Sequence, residues 1–139
     1  MPRVDFYVLA ESNPPNRFAC AMAGRALQER MPVYIHTRSR DEATLLDSLL
    51  WTFRDISFIP HALVDEPGAH EAPVALGWQG AVPDRHGVLI NLSDAVPEFA
   101  GRFERIVEPV GMAAEQKSRA RERFRHYREL GWELHSHDI

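Results

Sequence analysis

Two kinds of apolar pattern alternate through the first 53 residues, and that alternation limits the possible fold more than any other feature of the chain. Residues 4–10 (VDFYVLA) are dense in β-branched and aromatic side chains and stop at the breakers of residues 12–16, as a strand does. Phe18, Met22, Ala23, Ala26 and Leu27 then recur at helical spacing. Residues 32–37 (PVYIHT) predict a second strand. Ser39 and Asp41 can cap a following helix in which Leu45, Leu46, Leu49, Leu50 and Phe53 line one face. Strand, helix, strand, helix is the order of parallel strands joined by helical crossovers.

Three more apolar runs follow, at residues 74–78, 88–92 (VLINL) and 105–110 (RIVEPV). VLINL is almost continuously apolar, as expected of a central strand covered on both faces. Residues 64–73 and 79–87 are polar and rich in Pro and Gly, and predict surface loops. A last helix is expected over residues 113–130, ended by Gly131. The expected fold is one α/β domain spanning residues 1–139, a three-layer α/β/α (Rossmann-like) arrangement around a largely parallel sheet of about five strands.

Such a fold raises the possibility of a nucleotide site, so the first strand-to-helix turn matters. It reads ESNPPNR, with neither G-x-G-x-x-G nor G-x-x-x-x-G-K-[ST]. Pro14 and Pro15 remove two amide donors that a phosphate cradle would use. Seven histidines form no H-E-x-x-H or closed Cys/His pattern, and HSHD at residues 135–138 reads as a solvated, mobile tail. The lone Cys20 sits among Ala19, Ala21, Met22 and Ala23, the setting of a small buried thiol rather than a nucleophile. No catalytic constellation, metal or cofactor is expected. No stretch reaches the roughly 20 apolar residues of a membrane span, and the single cysteine suits a reducing cytoplasm.

Charge is distributed unevenly. The net charge is −4, yet residues 117–130 (KSRARERFRHYREL) hold Lys117, Arg119, Arg121, Arg123, Arg125 and Arg128 against only Glu122 and Glu129. On a helix at about 100° per residue, Lys117, Arg121, Phe124, Arg125 and Arg128 share an arc of roughly 100°. Ala120, Tyr127, Gln116 and Leu130 occupy an adjoining arc suited to packing on the sheet. A solvated face with Phe124 in the core is one reading. An uncompensated stripe that grips carboxylates, with an aromatic ring as an apolar seat, is the other. The second suits an extended acidic peptide or a free C-terminal carboxylate. Single-stranded nucleic acid stacking on the ring is a further alternative, although one narrow basic line favours the peptide.

The other anomaly is residues 45–63 (LLDSLLWTFRDISFIPHAL). Trp51 lies off the leucine stripe, and Ile56, Phe58 and Ile59 carry apolar content beyond the helix. Either a loop folds back over these residues, or they form an exposed patch for a permanent protein partner.

Together these two segments resemble the chi subunit of bacterial DNA polymerase III, in which an LD…LW…SF.PH.L string and a C-terminal ARERY..YR..G..L helix and turn recur. VDFYVL and VLINLS sit where that family has comparable strands, so the resemblance spans essentially the whole chain. It implies a non-catalytic replication accessory protein that links the clamp-loader assembly, through the psi subunit, to the acidic C-terminal tail of single-stranded DNA-binding protein. Contact with nucleic acid would then be mainly indirect. Tail binding is implied for Lys117, Arg121, Phe124, Arg125 and Arg128, with Val110 and Tyr127 as pocket walls. Psi binding is implied for Trp51, Phe58, Ile59 and Pro60. Phe124 stands where tyrosine is common in the motif, which keeps the ring without its hydroxyl.

Overall fold

A computed structural model describes residues 2–52, 60–69, 71–79 and 87–139. Among these residues the chain forms strands β1 (Arg3–Val8), β2 (Val33–Thr37), β3 (His61–Leu63), β4 (Val74–Trp78), β5 (Val88–Asn91), β6 (Arg105–Val110) and β7 (Glu133–Asp138). Three α-helices accompany them: α1 (Pro15–Gln28), α2 (Arg40–Thr52) and α3 (Ala114–Glu129). The sheet order is β3-β4-β2-β5-β6-β1-β7, and every pairing is parallel. The α/β class and parallel sheet follow the sequence pattern, but seven strands replace the expected five. Both additions are at edges. β3 has only three residues, too short to show a period. Residues 135–138 were expected to be a mobile tail; instead they belong to β7, which pairs residue for residue with β1, from Arg3–Glu133 to Val8–Asp138.

Side chains alternate across the sheet and feed two cores. Val33, Ile35, Val74, Leu76, Val88, Ile90 and Val107 pack with Phe18, Met22, Ala23 and Ala26 of α1 and with Leu46 and Leu50 of α2. Val4, Phe6, Tyr34, Ala75, Leu89, Ile106 and Val110 face the other way, against Ala120 and Tyr127 of α3 and against Ala100 and Phe103. Each fully buried leucine contributes about 1.5–3 kcal/mol. Leu45, expected on the core face of α2, is 66% exposed, and the buried stripe is Ala43, Leu46 and Leu50. Cys20 is buried as expected, and burial pushes its thiol up to about 12, which leaves it protonated and unreactive.

Local chemistry sets the helix ends. Ser39 caps α2, its Oγ accepting the Glu42 N–H at 3.2 Å, while the Glu42 carboxylate accepts the Arg38 N–H. Gly131 ends α3 at φ +77°, a conformation that favours glycine. The Gly131 and Trp132 amides donate to the Arg128 and Tyr127 carbonyls, and the Trp132 ring packs 5.7 Å from Tyr127. Paired reverse hydrogen bonds with a hydrophobic contact make up a Schellman turn. It redirects the chain into β7.

Candidate functional site

The carboxyl ends of parallel strands, where the connections diverge, are where open α/β sheets usually hold nucleotides. Here that crevice is lined by Pro14, Pro15, Asn91, Pro109 and Arg119, with a volume of about 480 Å³. Pro15 is the first residue of α1, so the first turn lacks that amide donor. Cations at the crevice are already engaged: Arg38 pairs with Glu42 and Asp94, and Arg119 with Asp94 and Glu115. Phosphate would have to displace internal carboxylates. Among the described residues no three His, Cys, Asp or Glu side chains come together as a metal set.

A different concavity lies beside α3. Phe6 and Val8 of β1, Val110 of β6, Ser136 of β7, and Lys117, Ala120, Arg121 and Phe124 of α3 enclose a groove of about 250 Å³. Strands build its apolar floor, and α3 forms one wall. Register explains the floor: Phe6 lies opposite both Glu108 and Ser136, and Val8 opposite both Val110 and Asp138, so these positions share the α3 face. Phe124 is half-buried, its ring 5.3 Å from that of Phe6 at 58°. Lys117 and Arg121, one helical turn apart, put two cations on the rim.

Four of the five residues expected to share a stripe behave as one face. Arg121, Arg125 and Arg128 are exposed and Lys117 half-exposed, and no ion pair among the described residues engages any of the four. Glu122 and Glu129 do not neutralise them. Of the expected set, Lys117, Arg121, Phe124 and Val110 meet at the groove, whereas Arg125 and Arg128 continue the charge beyond it. Tyr127, expected as a pocket wall, is wholly buried beneath the helix and does not line the groove. Gln116 and Leu130, expected to pack on the sheet, are exposed. Phe6, Val8, Ala120 and Ser136 were not foreseen as groove residues. Nothing local announced that β7 would bring Ser136 alongside Phe6.

Beneath α3 lies a polar cluster that the sequence did not reveal. Glu108 of β6 is fully buried and accepts three hydrogen bonds: from Arg123 Nε at 2.8 Å, from Tyr127 Oη at 2.6 Å and from Asn91 Nδ2 at 2.8 Å. Burial pushes its carboxyl up, against the opposing pull of the Arg123 guanidinium and the two neutral donors. Arg123, counted within the basic segment, is therefore internally neutralised and only 7% exposed.

The second expected patch is partly visible. Trp51 is 58% exposed at the end of α2, its ring 4.4 Å from the His61 ring, and Pro60 is exposed. Phe58 and Ile59 lie outside the described residues.

Fold and site together define a three-layer parallel α/β protein that presents a cation-rimmed apolar groove in place of a nucleotide cradle. The chain belongs to the DNA polymerase III chi subunit family, whose model (DNA polymerase III chi subunit, HolC) matches residues 1–135. It is 42% identical over 142 residues to the DNA polymerase III subunit chi of Pseudomonas aeruginosa, covering 100% of this chain and 98% of the relative. Subunit chi of Haemophilus influenzae is 30% identical over 137 residues, covering 96% of this chain and 95% of the relative. That of Escherichia coli is 31% identical over 121 residues, or 86% and 82%. The protein is thus an accessory subunit of DNA polymerase III, in DNA replication, and not itself the polymerase. None of the described helices is long and apolar enough to cross a membrane.

Proposed function

We propose that this subunit tethers the polymerase assembly to coated template by seating the acidic C-terminal tail of single-stranded DNA-binding protein in the groove between α3 and strands β1 and β7. The observation that carries this reading is an apolar trough whose rim cations have no ion-pair partner among the described residues. Lys117 and Arg121 would grip the carboxylates, and Phe124, Phe6 and Val110 would seat the tail's apolar end. Arg125 and Arg128 would extend the attractive field along the peptide. A short peptide held this way binds with an affinity on the order of micromolar. Several tails on one coated strand raise the effective concentration and hold the assembly in place.

Phe124 has its ring packed against Phe6 rather than standing free, which suits a pocket wall better than a platform for stacked bases. Direct binding of single-stranded DNA is thereby the weaker reading. The exposed Trp51 and Pro60 support docking of the psi subunit, and through it the clamp-loader assembly, at the opposite edge of the sheet. The cytoplasm is where such an assembly would work.

The test is calorimetric titration with a synthetic peptide of the last ten or so residues of the host single-stranded DNA-binding protein, at low and high salt. Saturable binding that weakens with salt and vanishes when the terminal apolar residue is removed supports the reading. Absence of binding at low salt by folded protein refutes it, and an oligonucleotide would then be the next ligand.

A further inference from the structure

The core-facing side of α3 is unusually poor in apolar surface. Its buried residues are Ala120, Arg123 and Tyr127, with Phe124 half-buried against Phe6 at the edge, so one methyl group, one phenol ring and one face of the Phe124 ring are nearly all that hydrophobic packing can use to orient the helix. Burial of an alanine is almost indifferent to the rotation of a helix about its axis. Something more directional must fix that rotation, because the groove depends on it. With Arg123 at zero and about 100° per residue, Tyr127 and Ala120 lie near 40° and 60°, Phe124 near 100°, Lys117 near 120° and Arg121 near 160°. A turn of about 40° one way would bury Phe124, and the same turn the other way would lift it off Phe6.

We propose that Glu108 is a positioning residue for the groove, using its two carboxylate oxygens to lock the rotation and the axial slide of α3. The geometry is specific. Two successive turns of one helix address the two oxygens of one carboxylate: Arg123 Nε donates to Oε1 and Tyr127 Oη to Oε2. A single contact would leave the helix free to pivot about it, whereas two contacts one turn apart hold both angle and height. The anchor is itself anchored. Asn91 of β5 donates to the same Oε2, and Arg123 Nη1 donates to the Asp94 carbonyl beyond β5, so α3 is tied to two neighbouring strands. Glu108 lies two residues before Val110, so the strand that holds the lock also supplies the groove floor.

A buried ion pair is a poor source of net stability, since desolvation offsets most of its attraction. Its value here lies in direction. The cluster keeps the groove preformed, so that a peptide need not order the helix on arrival. The affinity readout of this inference rests on the tail-binding reading above, and a second readout does not.

The decisive variant replaces the cluster by apolar groups of similar size, Glu108→Leu with Arg123→Met and Tyr127→Phe; Asn91 keeps the Ala95 carbonyl as a partner at 3.1 Å. The melting temperature is expected to hold or rise, while tail-peptide affinity falls roughly tenfold, as when the competent orientation drops to about a tenth of the population. Wild-type affinity at an undiminished melting temperature would overturn the proposal, because packing alone would then orient the helix. Should the triple variant fail to fold, Tyr127→Phe removes one of the two grips and leaves the ring and the Glu108–Arg123 pair. It is expected to speed amide exchange across residues 120–127 and to weaken the Phe6–Phe124 ring contact seen by nuclear Overhauser effects. Unchanged exchange and an unchanged ring contact would refute the lock. These two measurements need no peptide, so failure of wild-type protein to bind the tail would count against the proposed function and leave the lock to be judged on them.

Discussion

Arg121→Ala separates binding from folding more cleanly than any other substitution at the groove. Arg121 is exposed on α3, lines the groove and has no ion-pair partner among the described residues. Truncation therefore removes no ion pair among the described residues, and alanine is at least as good a helix former as arginine. The melting temperature should stay within about 2 °C of wild type, the shift expected from a few tenths of a kcal/mol. Binding is different. A hydrogen bond to a charged group contributes about 1.5–3 kcal/mol, and each 1.4 kcal/mol is roughly a tenfold change in affinity. The tail peptide should bind roughly ten- to a hundredfold more weakly at low salt. Its salt dependence should also flatten, since one screened attraction is gone. Arg119→Ala is the matched control. Arg119 lies about 160° from Arg121 around the helix and is spent on Asp94 and Glu115, so peptide affinity should not move. Titration calorimetry at two salt concentrations, with thermal unfolding in parallel, reads all of this. Equal affinity for wild type and Arg121→Ala, with both folded, would refute the assignment of the groove.

Ser136→Phe should abolish tail binding without unfolding the protein, because the residue is exposed on β7 and the new ring would fill the space between β7 and Phe124; peptide bound at wild-type strength would mean that the tail lies elsewhere. Trp51→Ala should leave tail affinity unchanged while weakening co-purification with psi at least about tenfold, the loss typical of a truncated aromatic hot spot; loss of tail binding instead would show that the two surfaces are not independent. Acid stability should depend on Asp5, which is fully buried. Burial alone would raise its carboxyl, but hydrogen bonds from His137, Arg3 and Arg105 outweigh that and hold it below the usual value. A depressed carboxyl contributes stability that is complete above its unfolded value of about 3.9 and is lost as pH falls through the native one. Glu108, pushed up by burial, has the opposite slope, since the native state takes up its proton first. The difference in urea midpoint between wild type and Asp5→Asn isolates the first effect: it should be largest near neutral pH and shrink below about pH 4. A difference that persists unchanged at pH 2 would show that the Asp5 cluster does not act through its charge.

Much of this protein follows from local pattern alone. β-Branched and aromatic density located β1 and β2, apolar residues at helical spacing located α1 and α2, and Gly131 marked the end of α3, because side chains that go to the interior leave that composition and spacing in the chain. The absence of a phosphate cradle was equally local, residing in Pro14 and Pro15. The basic line of Lys117, Arg121, Arg125 and Arg128 with Phe124 among them was legible because a helix converts spacing directly into angle. What the sequence could not determine depended on partners distant in the chain. β7 is polar at nearly every position and exists as a strand because β1 offers it a free edge, a fact of backbone pairing that leaves no hydrophobic trace in Glu133–Asp138. That pairing alone brings Ser136 beside Phe6 and turns a charged stripe into a groove. Arg123 and Arg121 look alike in sequence, yet one is buried against Glu108 and the other faces solvent. The difference arises from a carboxylate fifteen residues away on the central sheet, whose burial forces it to find a donor. Local spacing decided which residues share a helix face; the folded sheet decided which of them are spent on the interior and which remain free to bind.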